Sequence, residues 1–418
     1  MTHRHRVVMV ASSYPRFPGD TVGTFMEPIA HGIAARGHDV HMVLPWHPLW
    51  ARGTSEHGVT FHLFRYAPAA SMNVFGYASA LREDVALRGS AVVVTPLALA
   101  AGWRAARTVA QQVRATLMHG HWVVPGGALA AAASPTGIPI VVSLHGSDVY
   151  LAERYAAVGR VARWTFHRAN YVTACSDDLR VRAIALGASN KRSVTIPYGV
   201  DSRQFRPDPS IREKRRASWR VDAHDEIAFA AGRFVRKKGF EYLVDAVALL
   251  AARRPRLKLV LAGGGDLGNE LRDRAERLGI ADRVILPGVL TQSGVADALA
   301  ASDVAVVPSV RDDAGNVDGL PNVVLESLAS ATPLIATAAG GIGSVVKHEA
   351  TGLVVAERDT TALAAAIDRV LSDHTLAVKL GTAARVWAST HAGWEQVAAR
   401  FEEVYERASK DEARETKG

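Results

Sequence analysis

Short apolar runs, each closed by a turn and followed by a segment of helical period, recur along almost the whole chain. Residues 7–10, 40–44, 116–119, 140–144, 171–174 and 194–196 form one series, with a helix read over residues 25–36. Residues 227–231, 257–262, 284–286, 304–307 and 334–337 form a second, each followed by a helix. Strands separated by helices pair in parallel, because the crossover returns each new strand to the same end of the sheet. Between the two series, residues 197–209 carry three prolines, a glycine and two arginines, and the charged run IREKRRASWR follows. That composition suits a linker and the entry to a second domain. The expected fold is therefore α/β, with two doubly wound, Rossmann-like domains at residues 1–198 and 199–390. An amphipathic helix over residues 394–408 and a solvated tail make up residues 391–418.

At 418 residues and 48% hydrophobic content, the chain is long enough for two such cores. The lone Cys175 excludes an intramolecular disulfide and lies at the end of an apolar run, which fits a buried thiol and a reducing cytoplasm. The start, MTHRHRVVMVASS, has an apolar core shorter than a signal peptide needs and reads as a first strand. The most apolar stretches, residues 91–103 and 127–144, are broken well short of the ~18 residues that span a bilayer. The net charge is +8. Residues 1–200 hold 19 Lys+Arg against 10 Asp+Glu, giving +9, and residues 201–418 hold 30 against 31, giving −1. The asymmetry suggests an anionic surface or substrate as partner of the first half. No nucleic-acid partner is expected.

The stretch VDGLPNVVLESLASATPLIATAAGGIGSVV, residues 317–346, carries the densest chemistry. Pro321 suits a first helical position, so a buried helix is read over residues 321–330. Glu326 lies inside it, a costly carboxylate unless partners satisfy it, and sugar or ribose hydroxyls are such partners. Asp318 stands eight positions earlier. A strand follows, and Gly340-Gly341 opens another helix, which aims N–H groups at an anion. In doubly wound sheets ligands gather where strands end. After residues 227–231 comes Gly232-Arg233-Phe234-Val235-Arg236-Lys237-Lys238-Gly239, a loop able to fold cations around a diphosphate, with Arg236 and Lys237 expected to be solvated. After residues 140–144 come His145-Gly146-Ser147-Asp148, and after residues 116–119 comes His121. His119 is read as packing, and so are Phe25 and Met26. A zinc site of these histidines lacks the usual ligand spacing. Gly263 to Gly268 spell G-x-G-x-x-G, a dinucleotide signature. The next strand, however, ends Leu286-Pro287-Gly288, without the acid that would hold a ribose.

Acid, seven residues, acid, then a strand and Gly-Gly resembles the signature of the retaining GT-B glycosyltransferases of family four. The likeness extends to Gly232-Arg233, Lys238-Gly239, Gly199-Val200-Asp201 and the Trp394-Glu395 opening of the closing helix. Asp318 departs from the family's usual Glu by one methylene, and Tyr198 stands where Asn is usual. The resemblance implies a GT-B enzyme with its cleft between an acceptor-side first domain and a nucleotide-sugar-binding second domain. It also implies that the last helix crosses back onto the first domain. It gives Arg233 and Lys238 the departing diphosphate, Asp318 the donor sugar and Glu326 the ribose. His145 would reach the sugar near the reacting centre. Gly23, Gly232, Val289, Gly319, Leu320, Pro321 and Asn322 are the other donor-side positions it implies, with Val289 beside the nucleobase, and His121 and Asp148 lie toward the acceptor. The implied reaction is metal-independent hexosyl transfer without a cofactor. Its co-substrate is a UDP- or GDP-linked sugar, and its acceptor is the hydroxyl of a glycan, glycolipid or small metabolite, a lipid-linked one included. Peripheral contact with the anionic inner face of the cell membrane goes with the basic first half. An epimerase of the same fold, or a silent sugar-nucleotide binder, are the alternatives.

Overall fold

The computed structural model describes residues 4–73, 76–77, 81–82, 86–87, 89–313 and 315–415. The last three residues of the expected tail lie outside these. The chain divides into two compact units, Met1–Pro197 with Trp394–Gly418, and Tyr198–Gly393.

The first unit is built on an eight-stranded sheet in the order 193–195, 171–174, 140–144, 117–121, 6–10, 39–45, 59–64, 55–56. All neighbours run parallel except the last pair. Strands Leu117–His121 and Ile140–Leu144 are buried along their full length, so neither shows the alternation of a half-exposed strand, although the first carries His119 and His121. Sequence reasoning missed the hairpin of Ser55–Glu56 with Val59–Phe64. His57 and Gly58, at φ +47° and +79°, make its two-residue turn, and Gly58 takes such an angle without strain. Helix Met26–Ala35 packs Met26, Ile29 and Ile33 into the core. Helix Trp394–Glu415 adds Val397, Phe401, Val404, Tyr405 and Ala408 to that core, positions spaced to form one helical stripe. Its Glu402 is ion-paired with Arg36 and lies 3.3 Å from His38.

The second unit carries a six-stranded, wholly parallel sheet in the order 284–288, 257–262, 226–231, 304–307, 334–337, 353–355. Its core joins Leu243, Val244 and Val247 of helix Phe240–Leu250 to Leu363, Ile367 and Val370 of helix Thr360–Ser372. The edge strand Leu353–Val355 is too short to register as a separate apolar run. Among the described residues no helix is long and apolar enough to cross a membrane.

Candidate functional site

The second sheet starts at strand Glu226–Ala231, grows outward through 257–262 and 284–288, then returns to 304–307 on the other side of its first strand. The point where strand order reverses opens a crevice at the carboxyl ends, and the loop from Gly232 leaves from it. Arg236–Lys238 form a single 3₁₀ turn, closed by Gly239 at φ +62°. A side chain at Gly239 would come within 2.1 Å of the Pro308 carbonyl, so glycine is required for the loop to lie against the next strand's end.

Lys238 Nζ lies 2.6 Å from Asp318 Oδ2, and Lys237 Nζ lies 3.0 Å from Asp318 Oδ1. This corrects the expectation that Lys237 is solvated. Burial would force the Asp318 carboxyl to keep its proton, but the two ammonium groups outweigh that and hold it well below the usual carboxylate range. A carboxylate this enclosed recruits both cations within reach. Arg236 is exposed and pairs with Glu270 at 2.6 Å, while Arg233 stands exposed on the same loop. Asp318 itself is positioned by a second close approach, because a side chain at Gly340 (φ +56°) would meet the Asp318 carbonyl at 2.0 Å.

Gly319, Leu320 and Pro321 are buried and lead into helix Asn322–Ala329. Pro321 is the residue that caps this helix instead of its first helical position. Its ψ of 127° is extended, and its carbonyl accepts from the Val324 N–H at 3.0 Å. Glu326, on this helix, is the electrostatic opposite of Asp318. Burial pushes its carboxyl up to about 7, against the pull of Lys238. Val289 follows strand Val284–Gly288 and is 66% exposed.

At the carboxyl ends of the first sheet, His145 packs between aromatic rings. Phe25 and Trp122 are each 4.7 Å away between centroids, and His121 stacks at 5.3 Å with planes 14° apart. Phe25, expected only to pack its helix, is thus a wall of this site. His121 is fully buried, so it meets His145 and not an acceptor. Asp148, also placed toward the acceptor from sequence, is 1% exposed. Its carboxylate accepts from the N–H groups of Val123 (2.7 Å), Gly146 (2.9 Å) and His145 (3.3 Å), so it staples the turn that carries His145. His119 packs as expected, bonded to Tyr405 Oη and Ser143 Oγ, each at 2.7 Å. Gly23, at φ +65°, precedes helix Met26–Ala35 and accepts the Met26 N–H at 2.9 Å. Among the described residues no group of three or more His, Cys, Asp or Glu is arranged to hold a metal ion.

Two parallel α/β units with their polar groups gathered at strand ends define the GT-B class of fold. A model described as glycosyl transferases group 1 matches residues 211–387, and one described as a glycosyl transferase 4-like domain matches residues 20–199. The D-inositol 3-phosphate glycosyltransferase of Kineococcus radiotolerans is 32% identical over 325 residues, 72% of this chain and 73% of that one. The GDP-mannose-dependent alpha-(1-6)-phosphatidylinositol monomannoside mannosyltransferase of Mycobacterium tuberculosis is 35% identical over 207 residues. That match covers 49% of this chain and 54% of the other, about half the length of each. HepE of Anabaena, solved in complex with UDP and glucose, has the same fold, with a TM-score of 0.73 at 21% identity over 96% of this chain and 99% of that one. The chain belongs to the group 1 glycosyltransferases, family four.

Proposed function

We propose that the protein transfers a sugar, with retention of configuration, from a nucleoside-diphosphate sugar to a hydroxyl acceptor. The observation that carries this reading is the pairing of Lys238 and Lys237 with Asp318 at the switch point of the second sheet. The barrier lies in parting the anomeric carbon from phosphate, so cations that meet the leaving diphosphate supply most of the catalysis. On this reading a diphosphate accepts Lys238 and Arg233, and Asp318, relieved of one lysine, turns to a sugar hydroxyl. Glu326 accepts from the ribose, Gly232, Val289 and the segment Gly319 to Asn322 line the nucleotide, and His145 and Gly23 serve the donor from the first unit. No cofactor or metal takes part.

The mycobacterial relative's name makes GDP-mannose the first donor to try and a phosphatidylinositol-type lipid the first acceptor class, with UDP-glucose as the second donor. The exposed arginines of helix Ala156–Arg168 fit peripheral work at an anionic membrane face. Incubation with each donor, with and without acceptor lipid, followed by NMR of the product's anomeric proton, tests the reading. Nucleoside diphosphate released together with an α-linked product supports it. Isomerisation of donor alone would make the protein an epimerase, and binding without turnover would make it a silent binder.

A further inference from the structure

His121 Nδ1 and His145 Nε2 lie 3.1 Å apart, and the hydrogen between them has two possible owners. Burial holds both rings neutral at ordinary pH, with His121 pushed down to about 3 and His145 well below its usual value. Were His145 the donor, the single proton of His121 would sit on its Nε2. That atom is enclosed by protein and has no hydrogen-bond partner among the described residues. A buried N–H without an acceptor is one of the rarest features of native structures, whereas an unmet lone pair costs less. Nor can the ring turn away. His121 is held between His145 and His119, whose centroid is 4.1 Å away, and His119 is itself bonded at both nitrogens.

We infer that His121 donates from Nδ1 to His145 Nε2 and so fixes His145 as the Nδ1–H tautomer, a neutral hydrogen-bond donor toward the sugar nucleotide instead of a base. His121 is therefore a positioning residue. The geometry has a chemical consequence, since the lone pair with which His145 would take a proton from an acceptor hydroxyl is already engaged. The proton released on transfer then has to go to a group other than His145. The tautomer follows from the rings alone; its use on a sugar nucleotide rests on the proposed function.

Long-range ¹⁵N–¹H correlation spectra of the full-length, ligand-free protein labelled at histidine read the tautomer directly. A pattern for His145 with the proton on Nδ1 is expected, and a proton on Nε2 overturns the inference. Donor affinity for GDP-mannose and UDP-glucose supplies the second readout. In His121→Asn the amide N–H stands where the ring Nδ1–H did, so affinity stays within about threefold, while His121→Phe keeps the bulk, loses the donor and weakens binding by about tenfold, ~1.4 kcal/mol. Equal weakening in both variants overturns it. If neither nucleotide binds the wild type, the proposed function fails, and the spectra still decide the tautomer.

Discussion

The two sheets end in opposite electrostatic states. At the edge of the second, charge is concentrated and matched, with Lys237 and Lys238 on Asp318 and Glu326 poised near neutrality. At the edge of the first, the site is kept neutral. Burial holds His121 and His145 neutral, and Asp148 is spent on three backbone amides. Two units of one topology thus specialise by what they do with charge. A site that meets a diphosphate needs cations held ready, since reorienting them during the reaction would cost rate. A site that meets hydroxyls needs only oriented donors and acceptors, and a full charge there would have to be desolvated for no gain.

The sharpest way to break this contrast is to remove charge from the second edge. Lys238→Ala is expected to lower kcat/KM by about 10²–10³, the usual loss when one donor to a developing anion is deleted. Lys237→Ala, which leaves Lys238 on Asp318, should cost about tenfold. Steady-state kinetics with a fixed acceptor decides, and a Lys238→Ala enzyme within threefold of wild type sinks the assignment. Glu326→Ala should reduce turnover about as severely as Lys238→Ala, while Asp318→Glu, which restores the family's usual acid, should be tolerated within about threefold. If, as proposed, the lysines meet the diphosphate in place of a metal, activity in EDTA should be unchanged. Loss there, restored by magnesium or manganese, would contradict the role given to them.

The pH response separates the two acids. The folded value of Glu326, about 7, lies above its ordinary 4.5, so its contribution to stability is present below 4.5 and is lost as pH rises toward 7. Glu326→Gln should therefore raise Tm at pH 8 by about 2–4 °C and change little at pH 5, as calorimetry can check. Asp318 has the opposite sign. Its folded value is depressed, so its stability is present above 3.8 and lost as pH falls through that region. Donor affinity should also climb through about pH 7 as Glu326 becomes an acceptor for ribose hydroxyls, and Glu326→Gln should flatten that climb.

Much of the fold was legible because buried parallel strands are read by composition alone. Strands such as Val304–Val307 and Leu334–Thr337 fall on the bounds read from sequence. What escaped was short or amphipathic. The half-buried strand Val59–Phe64 is interrupted by Thr60 and His62, and Leu353–Val355 has only three residues. The Glu56-His57-Gly58-Val59 turn was the available signal for the first, since a polar residue followed by glycine marks a two-residue hairpin. At the site, residue types and strand ends were legible, but side-chain direction was not. Nothing in KKG says that both lysines turn to one carboxylate. Likewise, nothing in His-Gly-His-Trp says that the second histidine lies behind His145, although two histidines two positions apart on one strand must share a face.

The smallest expected effect lies on the outside of the first unit, where residues 1–200 carry an excess of +9. Helix Ala156–Arg168 carries the aromatics Trp164 and Phe166. They divide, with Phe166 buried at 4% and Trp164 exposed at 44%. Ala157, Arg160, Val161, Trp164 and Arg168 are all exposed and stand three or four positions apart around one face, with Arg163 and Tyr155 beside them and no acid within the helix. Arginines around an exposed tryptophan suit the headgroup layer of an anionic bilayer, where each basic group adds about 1 kcal/mol at most. The full-length protein should therefore co-sediment with vesicles containing phosphatidylglycerol and not with pure phosphatidylcholine, and salt should weaken the association. Arg160→Ala should loosen binding by about fivefold, the equivalent of that 1 kcal/mol. Trp164→Ala should loosen it at high salt as well, since apolar insertion is not screened. Binding indifferent to anionic lipid, or absent at low salt, would leave the charge of the first unit without a membrane role and make a water-soluble acceptor the better choice.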